Sequence, residues 1–329
     1  MSAASLTARW ILPCVAACLL AGCAGGDSRL EPEAVPIVVP QPLGVEDPAV
    51  VPSAAPAPAP DCDPRASLRP RGPLPAVGQM PAGSHMETIA RRGRLVVGVD
   101  QNTYSFSYPD PASGQLIGFD IDIAKEIARA IFGSPDAIQF IAIDQEDRIP
   151  AILDGRVDVV VDTMTITCRR LLDVSFSTEY LTAGQRVLVN RGSSLRGLED
   201  LGGRKVCAAK GTTSLQAIQQ APSHPVAVGA EVTVDCMVLL QQGQVDAIST
   251  DDTVLAGYAA QDQSTEVVGP RFSDEPYGVA VSKSAPEFVR FINAVLERVR
   301  ADGTWTMLYE HWLSTLGPAP AAPAPRYID

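Results

Sequence analysis

The chain has 329 residues, of which 19% are charged and 46% apolar, so it is long enough for two ordinary domains and has a globular composition. Its formal net charge of −12 excludes a nucleic-acid-binding surface and a polybasic membrane patch, because both need clustered Lys and Arg. The histidines His85, His224 and His311 lie far apart without metal-ligand spacing, so we predict no metal and no other cofactor. A small-molecule ligand is compatible with these values.

Residues 1–22 have the features of an export signal. Arg9 precedes an apolar run, residues 10–20, which is too short to span a bilayer but has the length of a signal-peptide core. The run ends in Leu20-Ala21-Gly22-Cys23, which resembles the bacterial lipobox, where the cysteine thiol takes a diacylglycerol. We therefore expect a palmitate-bearing lipoprotein, anchored through Cys23 to the outer face of the cell membrane. The alternative is an ordinary signal peptide with an incidental cysteine.

Four of the seven cysteines remain once Cys14 and Cys18 leave with the signal and Cys23 is lipidated. An even number in an oxidising compartment predicts two disulfides rather than free buried thiols. Four cysteines allow three pairings. Closeness along the chain favours Cys207 with Cys236, which leaves Cys62 with Cys168.

Two proline-rich segments flank the central part of the chain. Residues 24–84 hold fourteen of the 28 prolines, and proline favours an extended, semi-rigid chain. We therefore assign residues 23–85 to the lipidated cysteine and a stalk, and residues 317–329 to a tail of the same character. The roughly 230 residues between them must carry the function.

This central part alternates predicted strands with predicted helices. Residues 94–100, 157–161, 205–209 and 245–249 are apolar runs typical of strands that are covered on both faces. Residues 119–131 and 286–300 carry apolar side chains at helical spacing, and another helix is expected from about Ser214. Such alternation predicts an α/β fold with mostly parallel sheets, whose ligands bind at the carboxyl ends of the strands.

Polar motifs follow three of these strands. Met164-Thr165-Ile166-Thr167-Cys168-Arg169-Arg170 offers hydroxyl and guanidinium donors for a carboxylate, although a solvated surface loop is the alternative. Gly211-Thr212-Thr213-Ser214 begins a helix and exposes N–H groups that favour an anion, or serves only as an N-cap. In Ser249-Thr250-Asp251-Asp252 a carboxylate is placed to accept an ammonium group, or only to cap the next helix.

An apolar wall completes the set. Tyr104, Phe106 and Tyr108 alternate after Asp100 and either surround the aliphatic part of a ligand or belong to the core. Together the motifs supply a cation, oriented N–H donors, an anion and aromatic rings. These are the groups that a zwitterionic amino acid needs.

Several motifs in collinear order resemble the family-3 solute-binding proteins, the polar amino-acid receptors of ABC importers. The resemblance covers residues 88–316. Together with the lipobox and the stalk, the motifs look most similar to those of actinobacterial glutamine-binding lipoproteins. They are Gly93-Arg94-Leu95-Val96-Val97-Gly98-Val99-Asp100, Gly118-Phe119-Asp120-Ile121-Asp122, Met164-Thr165-Ile166-Thr167 with Arg170, Phe176-Ser177, Gly211-Thr212-Thr213 and Val245-Asp246-Ala247.

The resemblance implies a two-lobed periplasmic-binding-protein type II (Venus flytrap) fold with two hinge strands. It implies one lobe over residues 86–187 with the return segment 280–316, and the other over residues 188–279.

The resemblance also implies roles for site residues. Arg170, Thr165 and the backbone N–H of Thr213 would bind the α-carboxylate, while Asp251 and the carbonyl of Thr163 would receive the α-ammonium. Phe106 would form part of the wall, and Asp100 lies where some members contact the ligand. Lys210 and Gln185 are candidates to read an acidic or amide side chain, although Lys210 is equally compatible with a solvated surface position.

The predicted function is therefore a monomeric receptor that binds glutamine, glutamate or aspartate and delivers it to an ABC permease. One alternative is an amino-acid sensor for a membrane signalling partner, and a less favoured one is a dehydratase-like enzyme on the same fold. Against an enzyme, the chain contains no G-x-S-x-G, H-E-x-x-H or C-x-x-C motif and no histidine near the proposed site.

Overall fold

Two five-stranded sheets form the centres of two lobes in the computed structural model, which describes residues 39–50 and 60–329. The predicted signal peptide and Cys23 lie outside the described residues. The strands are β1 (Ala66–Ser67), β2 (Leu95–Val99), β3 (Tyr108–Pro109), β4 (Leu116–Ile117), β5 (Ile138–Ala142), β6 (Val159–Val160), β7 (Val174–Phe176), β8 (Leu181–Ala183), β9 (Gln185–Asn190), β10 (Lys205–Ala209), β11 (Val226–Ala230), β12 (Ala247–Asp251), β13 (Thr265–Val268), β14 (Glu275–Tyr277), β15 (Ala280–Ser282) and β16 (Arg326–Tyr327).

The α-helices are α1 (His85–Arg92), α2 (Phe119–Phe132), α3 (Arg148–Leu153), α4 (Thr213–Gln220), α5 (Thr233–Gln241), α6 (Asp252–Gln261), α7 (Pro286–Ala301) and α8 (Thr304–Trp312). Short 3₁₀ turns occupy Arg170–Leu172, Leu198–Leu201 and Ser314–Leu316. Among the described residues no helix combines the length and the apolarity needed to cross a bilayer.

Lobe 1 is built on the sheet β5-β2-β6-β15-β7, in which β2 runs parallel to β5 and β6 and β15 runs antiparallel to β6 and β7. Every residue of β2 is buried, because α2 and the other helices of the lobe cover the sheet. The predicted apolar stripe of α2 is buried, with Ile123, Ile127 and Ile131 fully enclosed. The helix ends at Gly133, whose φ of 75° is the left-handed conformation that favours glycine.

Lobe 2 is built on the sheet β11-β10-β12-β9-β13. Strand β10 is parallel to both β11 and β12, while β9 is antiparallel to the central strand β12 and to β13. Helices α4, α5 and α6 pack on this sheet. A disulfide joins Cys207 of β10 to Cys236 of α5, and a second joins Cys62 to Cys168. Of the three possible pairings, the structure contains the one that closeness along the chain favours.

Two crossing strands connect the lobes. The chain leaves lobe 1 after β7, passes through β8 and enters lobe 2 at β9. It returns from β13 through β14 to β15. Strands β8 and β14 pair antiparallel, with Leu181 opposite Tyr277 and Ala183 opposite Glu275. This ladder is therefore the hinge of a two-lobed fold.

The proline-rich segments differ from the expected stalk and tail, because their described parts pack on the lobes. Strand β1 pairs with β16 of the tail, and the apolar residues Leu68, Leu74 and Met80 pack against the core of lobe 1. Residues 46–49 pair with the edge of the lobe 2 sheet, where Glu46 and Gly229 exchange backbone hydrogen bonds of 2.8 and 2.9 Å. Proline is disfavoured inside a sheet, because it has no backbone N–H to donate. It is compatible with packing at a sheet edge and between apolar side chains.

Candidate binding site

A narrow cavity of about 20 Å³ lies between the two lobes, at the carboxyl ends of their parallel strands. This volume holds about one water molecule, so the lobes approach each other closely here. The lining residues follow β2, β5 and β6 in lobe 1, and in lobe 2 they follow β10 and β11 or lie at the end of β12 and in α6. They are Thr103, Gln145, Arg148, Thr163, Thr165, Arg170, Thr212, Thr213, Ser214, Thr233, Thr250, Asp251 and Val254.

Arg170 lies in this cavity with its side chain buried. Its Nη1 donates to the carbonyl oxygen of Thr165 at 2.7 Å, and its Nη2 donates across the lobe boundary to the carbonyl oxygen of Gly211 at 3.1 Å. Burial and the positive charge of Arg148 lower the pKa of the Arg170 guanidinium to about 10, so the side chain stays charged at pH 7. A guanidinium has five N–H groups, so donors remain for a carboxylate.

Gly211 marks the closest approach of the lobes. Its φ of 70° lies in the left-handed region, and a Cβ placed on it would lie 2.9 Å from Cα of Glu146 in lobe 1. A larger residue here would therefore meet the backbone of the opposite lobe. The Gly211 carbonyl that Arg170 contacts therefore lies at the lobe boundary, at a position that requires glycine.

Thr163 and Thr165 line the cavity from the segment that follows β6. Thr163 has a φ of 43°, which is rare for a β-branched residue. Oδ2 of Asp120 accepts its backbone N–H at 2.7 Å and so holds this conformation. Thr165 forms a bridge with Tyr277, which ties the segment to the hinge.

Helix α4 points its N-terminus into the cavity. Thr212 occupies the N-cap, and its hydroxyl accepts the N–H of Leu215 at 3.1 Å. The N–H groups of the first helical residues, including Thr213, have no acceptor within the helix and favour an anion. The hydroxyl of Thr213 donates to Oε2 of Glu275 at 3.0 Å, so this side chain is also fixed from the hinge strand.

Asp251 is the carboxyl group that lines the cavity. Its Oδ2 accepts the hydroxyl of Tyr277 at 2.6 Å, while Oδ1 is buried without a partner among the described residues. Asp251 precedes α6, yet its side chain makes no capping hydrogen bond. Burial and the charge of Glu275 raise the pKa of the Asp251 carboxyl to about 8. A buried acceptor with an elevated pKa gains most from a cationic ligand group.

Sequence reasoning missed several residues of the cavity, and Arg148 and Gln145 are the two with the largest polar side chains. Arg148 is buried, and its Nε donates to Oδ2 of Asp162 at 2.6 Å, while Oε1 of Gln145 is buried without a partner in the described chain. Both follow the carboxyl end of β5 in a charged run that resembles a solvated loop. Their position after a parallel strand was the available signal.

Four of the predicted ligand residues do not line the cavity. Nζ of Lys210 lies 2.6 Å from Oε1 of Glu231 and 3.7 Å from Oε2 of Glu146, in an ion-pair cluster at the edge of the cleft. Phe106 is fully buried in the core of lobe 1, with its ring centroid 6.2 Å from those of Phe119 and Tyr277. An apolar ring that is enclosed in the core does not form a wall of this polar cavity.

Gln185 and Asp100 also lie beside the cavity. The Nε2 of Gln185 donates to Oε1 of Glu275 at 2.7 Å, at the start of β9 next to the hinge. Asp100 faces a neighbouring cleft, and its Oδ2 accepts the hydroxyl of Thr103 at 2.5 Å. Both therefore touch residues that border the cavity or the hinge.

Comparison with known proteins gives the family of the chain. The model of the bacterial extracellular solute-binding proteins, family 3, matches residues 95–315. The chain belongs to this family. The ABC transporter glutamine-binding protein GlnH of Bacillus subtilis (strain 168) is 38% identical over 229 residues, which cover 69% of this chain and 84% of that protein.

Solved structures give the same result for the fold. An ancestral arginine-binding protein, bound in one structure to arginine and in another to glutamine, is 37% identical with a TM-score of 0.63. These structures cover 68% of this chain, with 99% and 98% of their own chains covered. The ancestral amino acid-binding protein AncCDT-1, a precursor of cyclohexadienyl dehydratase, is 35% identical with a TM-score of 0.64, covering 70% of this chain and 99% of its own.

Membership in the family confirms the predicted resemblance and the predicted two-lobed α/β fold. It also identifies the chain as a bacterial extracellular solute-binding protein. The cavity between the lobes brings together five of the nine predicted ligand residues, namely Arg170, Thr165, Thr163, Thr213 and Asp251.

Proposed function

We propose that this solute-binding protein takes up a polar amino acid of the glutamine, glutamate or aspartate class and delivers it to an ABC permease. The observation that carries the proposal is Oδ1 of Asp251, which is buried without a partner in the described part of the chain and lies in the same cavity as the charged guanidinium of Arg170. The guanidinium pairs with the α-carboxylate, with help from Thr165 and the N–H of Thr213. Asp251 and the carbonyl of Thr163 receive the α-ammonium.

The ligand side chain would meet Arg148 and Gln145 rather than Lys210. The guanidinium of Arg148 keeps N–H donors beyond the one that contacts Asp162, and these suit an amide or carboxylate oxygen. The amide of Gln145 either donates or accepts, depending on its orientation. The pair therefore supports a short side chain that ends in an amide or a carboxylate.

A thermal-shift screen with the common amino acids tests this function. A ligand at about 100 times its Kd adds about 2.7 kcal/mol to the free energy of unfolding, which for a chain of this size is a rise in melting temperature of roughly 4 °C. We expect glutamine, glutamate, aspartate or asparagine to give the largest rise. A screen in which none of the amino acids changes the melting temperature would contradict the proposal.

Import is the favoured use of the bound ligand, because the Bacillus subtilis relative is an ABC transporter protein. Cells that lack the protein should then take up labelled glutamine or glutamate more slowly, and reintroduction of the gene should restore uptake. Unchanged uptake together with tight binding would favour the alternative, a sensor for a membrane partner.

The ligand is released chemically unchanged. The described lining of the cavity consists of Thr, Ser, Gln, Arg, Asp and Val side chains, without histidine or cysteine. The likeness to a dehydratase precursor makes the direct test worthwhile. Incubation with each candidate amino acid followed by mass spectrometry should show no product.

The lipid anchor at Cys23 completes the proposal and rests on the lipobox alone. Cells grown with labelled palmitate should incorporate the label into the wild-type protein. The variant Cys23→Ala should lose the label and leave the membrane fraction. Label that persists in this variant would exclude Cys23 as the attachment point.

A further inference from the structure

Arg65 lies outside the family-matched residues 95–315, yet it contacts both ends of the hinge. Its Nε lies 2.7 Å from Oε2 of Glu179, just before β8. Its Nη1 and Nη2 lie 2.7 Å from Oδ2 and Oδ1 of Asp274, just before β14. Because β8 and β14 are antiparallel, Glu179 is at the lobe 1 end of the ladder and Asp274 at the lobe 2 end. One guanidinium thus joins the two ends of the hinge.

The partners of Arg65 are held in place by other contacts. Glu179 is buried, its Oε1 accepts the hydroxyl of Thr182 on β8 at 2.5 Å, and its carbonyl accepts Nη2 of Arg300 at 2.6 Å. Asp274 is exposed, but its bidentate pairing with a planar guanidinium restricts its geometry. A rotation of the lobes that bends the hinge would therefore separate at least one carboxylate from Arg65.

The backbone around Arg65 is also fixed to lobe 1. The disulfide Cys62–Cys168 attaches it to the segment that carries Arg170, and β1 pairs with β16 of the tail. The hydroxyl of Ser67 donates to the carbonyl of Phe176 at 2.7 Å. The backbone that carries Arg65 is therefore fixed to lobe 1. Arg65 does not move freely with the hinge.

We propose that Arg65, Glu179 and Asp274 form a hinge clamp, in which Arg65 is a positioning residue that favours the arrangement of the lobes seen here. In this arrangement Arg170 reaches the carbonyl of Gly211 across the lobe boundary, so the clamp favours the conformation that encloses a ligand. Loss of the clamp shifts the population towards wider lobe angles, and ligand affinity falls by the same factor. The affinity readout of this inference rests on the proposed amino-acid binding.

The test uses Arg65→Met, which keeps the aliphatic length, and Arg65→Lys, which keeps the charge but loses the bidentate geometry. Ligand Kd is measured by calorimetry with the amino acid that gives the largest thermal shift. We expect Kd to rise about threefold to tenfold for Arg65→Met and less for Arg65→Lys, as for a partly exposed ion pair with good geometry. Asp274→Asn should give a similar rise, and the double variant should be no worse than Arg65→Met alone.

The second readout is the distance between nitroxide labels on two exposed residues, Leu153 in lobe 1 and Gln220 in lobe 2, in the ligand-free full chain. The labels are attached to genetically encoded residues, so the disulfides stay intact. Arg65→Met should broaden the distance distribution towards longer values. The matched control is Arg91→Met, because Arg91 is exposed and forms an ion pair with Glu87 on the same helix. This variant should change neither readout.

The proposal requires that both the ligand Kd and the distance distribution change in Arg65→Met. A wild-type distance distribution in Arg65→Met overturns the proposal whatever happens to Kd, and so does a wild-type Kd in the presence of a shifted distribution. If no amino acid binds the wild-type protein, the proposed function fails and the distance measurement alone decides about the clamp. Because Asp274 is exposed, Asp274→Asn keeps the test decisive even if Arg65→Met folds poorly.

Discussion

Tyr277 donates its hydroxyl hydrogen to Oδ2 of Asp251 over 2.6 Å. Tyr277 belongs to the hinge strand β14, whereas Asp251 ends β12 of lobe 2 and faces the cavity. The hydroxyl of Tyr277 also lies 3.1 Å from that of Thr253 in α6. The carboxylate that we assign to the ligand ammonium is therefore hydrogen-bonded directly to the hinge strand.

Replacement of Arg170 by Ala should raise the ligand Kd by about 100-fold, because a hydrogen-bonded charge pair contributes about 1.5–3 kcal/mol. Titration calorimetry measures this directly. The neighbouring Arg169 is exposed, so Arg169→Ala is the matched control and should bind with nearly wild-type affinity. Undiminished affinity of Arg170→Ala would remove this residue from the site.

Ligand affinity should depend on pH through Asp251. The pKa of this carboxyl is raised to about 8 in the ligand-free protein, so at pH 7 it must lose a proton before it pairs with an ammonium. Kd should fall with rising pH, by at most about tenfold per unit between pH 6 and 8, and then level off. Calorimetry in buffers of different ionisation enthalpy should detect proton release on binding at pH 7. Asp251→Asn should bind weakly and release no proton.

The same pKa predicts a stability change of opposite sign without ligand. The folded protein holds the Asp251 proton more tightly than the unfolded chain, whose ordinary value is 3.8. This contribution to stability is therefore complete below about pH 4 and is lost as the pH rises towards 8. Denaturant unfolding of the wild type and of Asp251→Asn at pH 5 and pH 7 isolates it. The free energy of unfolding of the wild type should fall from pH 5 to pH 7 relative to that of Asp251→Asn. If it does not fall, the raised pKa is contradicted.

Replacement of Lys210 by Ala should change ligand affinity by less than about threefold. Its ammonium pairs with Glu231 outside the cavity, and surface ion pairs contribute about 0–1 kcal/mol. The measurement is Kd for glutamine and for glutamate. Lys205→Ala, which removes an ion pair with Asp47, is a comparable control. A loss above tenfold for one of the two ligands would show that Lys210 does read the side chain.

Replacement of Arg148 by Met should lower the free energy of unfolding by about 3–5 kcal/mol, because it leaves the buried charge of Asp162 unpaired. Urea unfolding of the ligand-free protein gives this value. The further change Asp162→Leu should recover much of the loss. By contrast, Arg156→Ala removes a more exposed ion pair with Asp147 and should cost no more than about 1 kcal/mol. Equal losses in Arg148→Met and Arg156→Ala would contradict the buried pairing.

The predicted strands and helices agree with the structure where the pattern is local. The apolar run at residues 94–100 contains β2, and the stripe at residues 119–131 is α2 almost residue for residue. Arg170 lies in the cavity, as expected for the motif after β6, because a short turn after a buried strand leaves its side chains few positions. Gly211 likewise signalled a turn into α4.

The residues that local pattern misjudged depend on distant partners. Lys210 was a candidate ligand contact, but its ammonium forms ion pairs with Glu231 of the same lobe and Glu146 of the other. Phe106 was a candidate wall, but its neighbours Phe119 and Tyr277 enclose it in the core. Neither partner set can be read from the residues adjacent in the chain.

The sequence by itself determined the alternation of strand and helix and favoured one disulfide pairing, because hydrophobic periodicity, turn residues and cysteine spacing can be read along the chain. The ordered motifs carried the resemblance to the family. Only the tertiary structure decided that Arg148 lines the cavity between the lobes and that Arg65 joins Glu179 to Asp274. The contacts of Arg65 depend on packing that brings together residues more than a hundred positions apart. The same packing places part of the expected proline-rich stalk against lobe 1, next to the hinge.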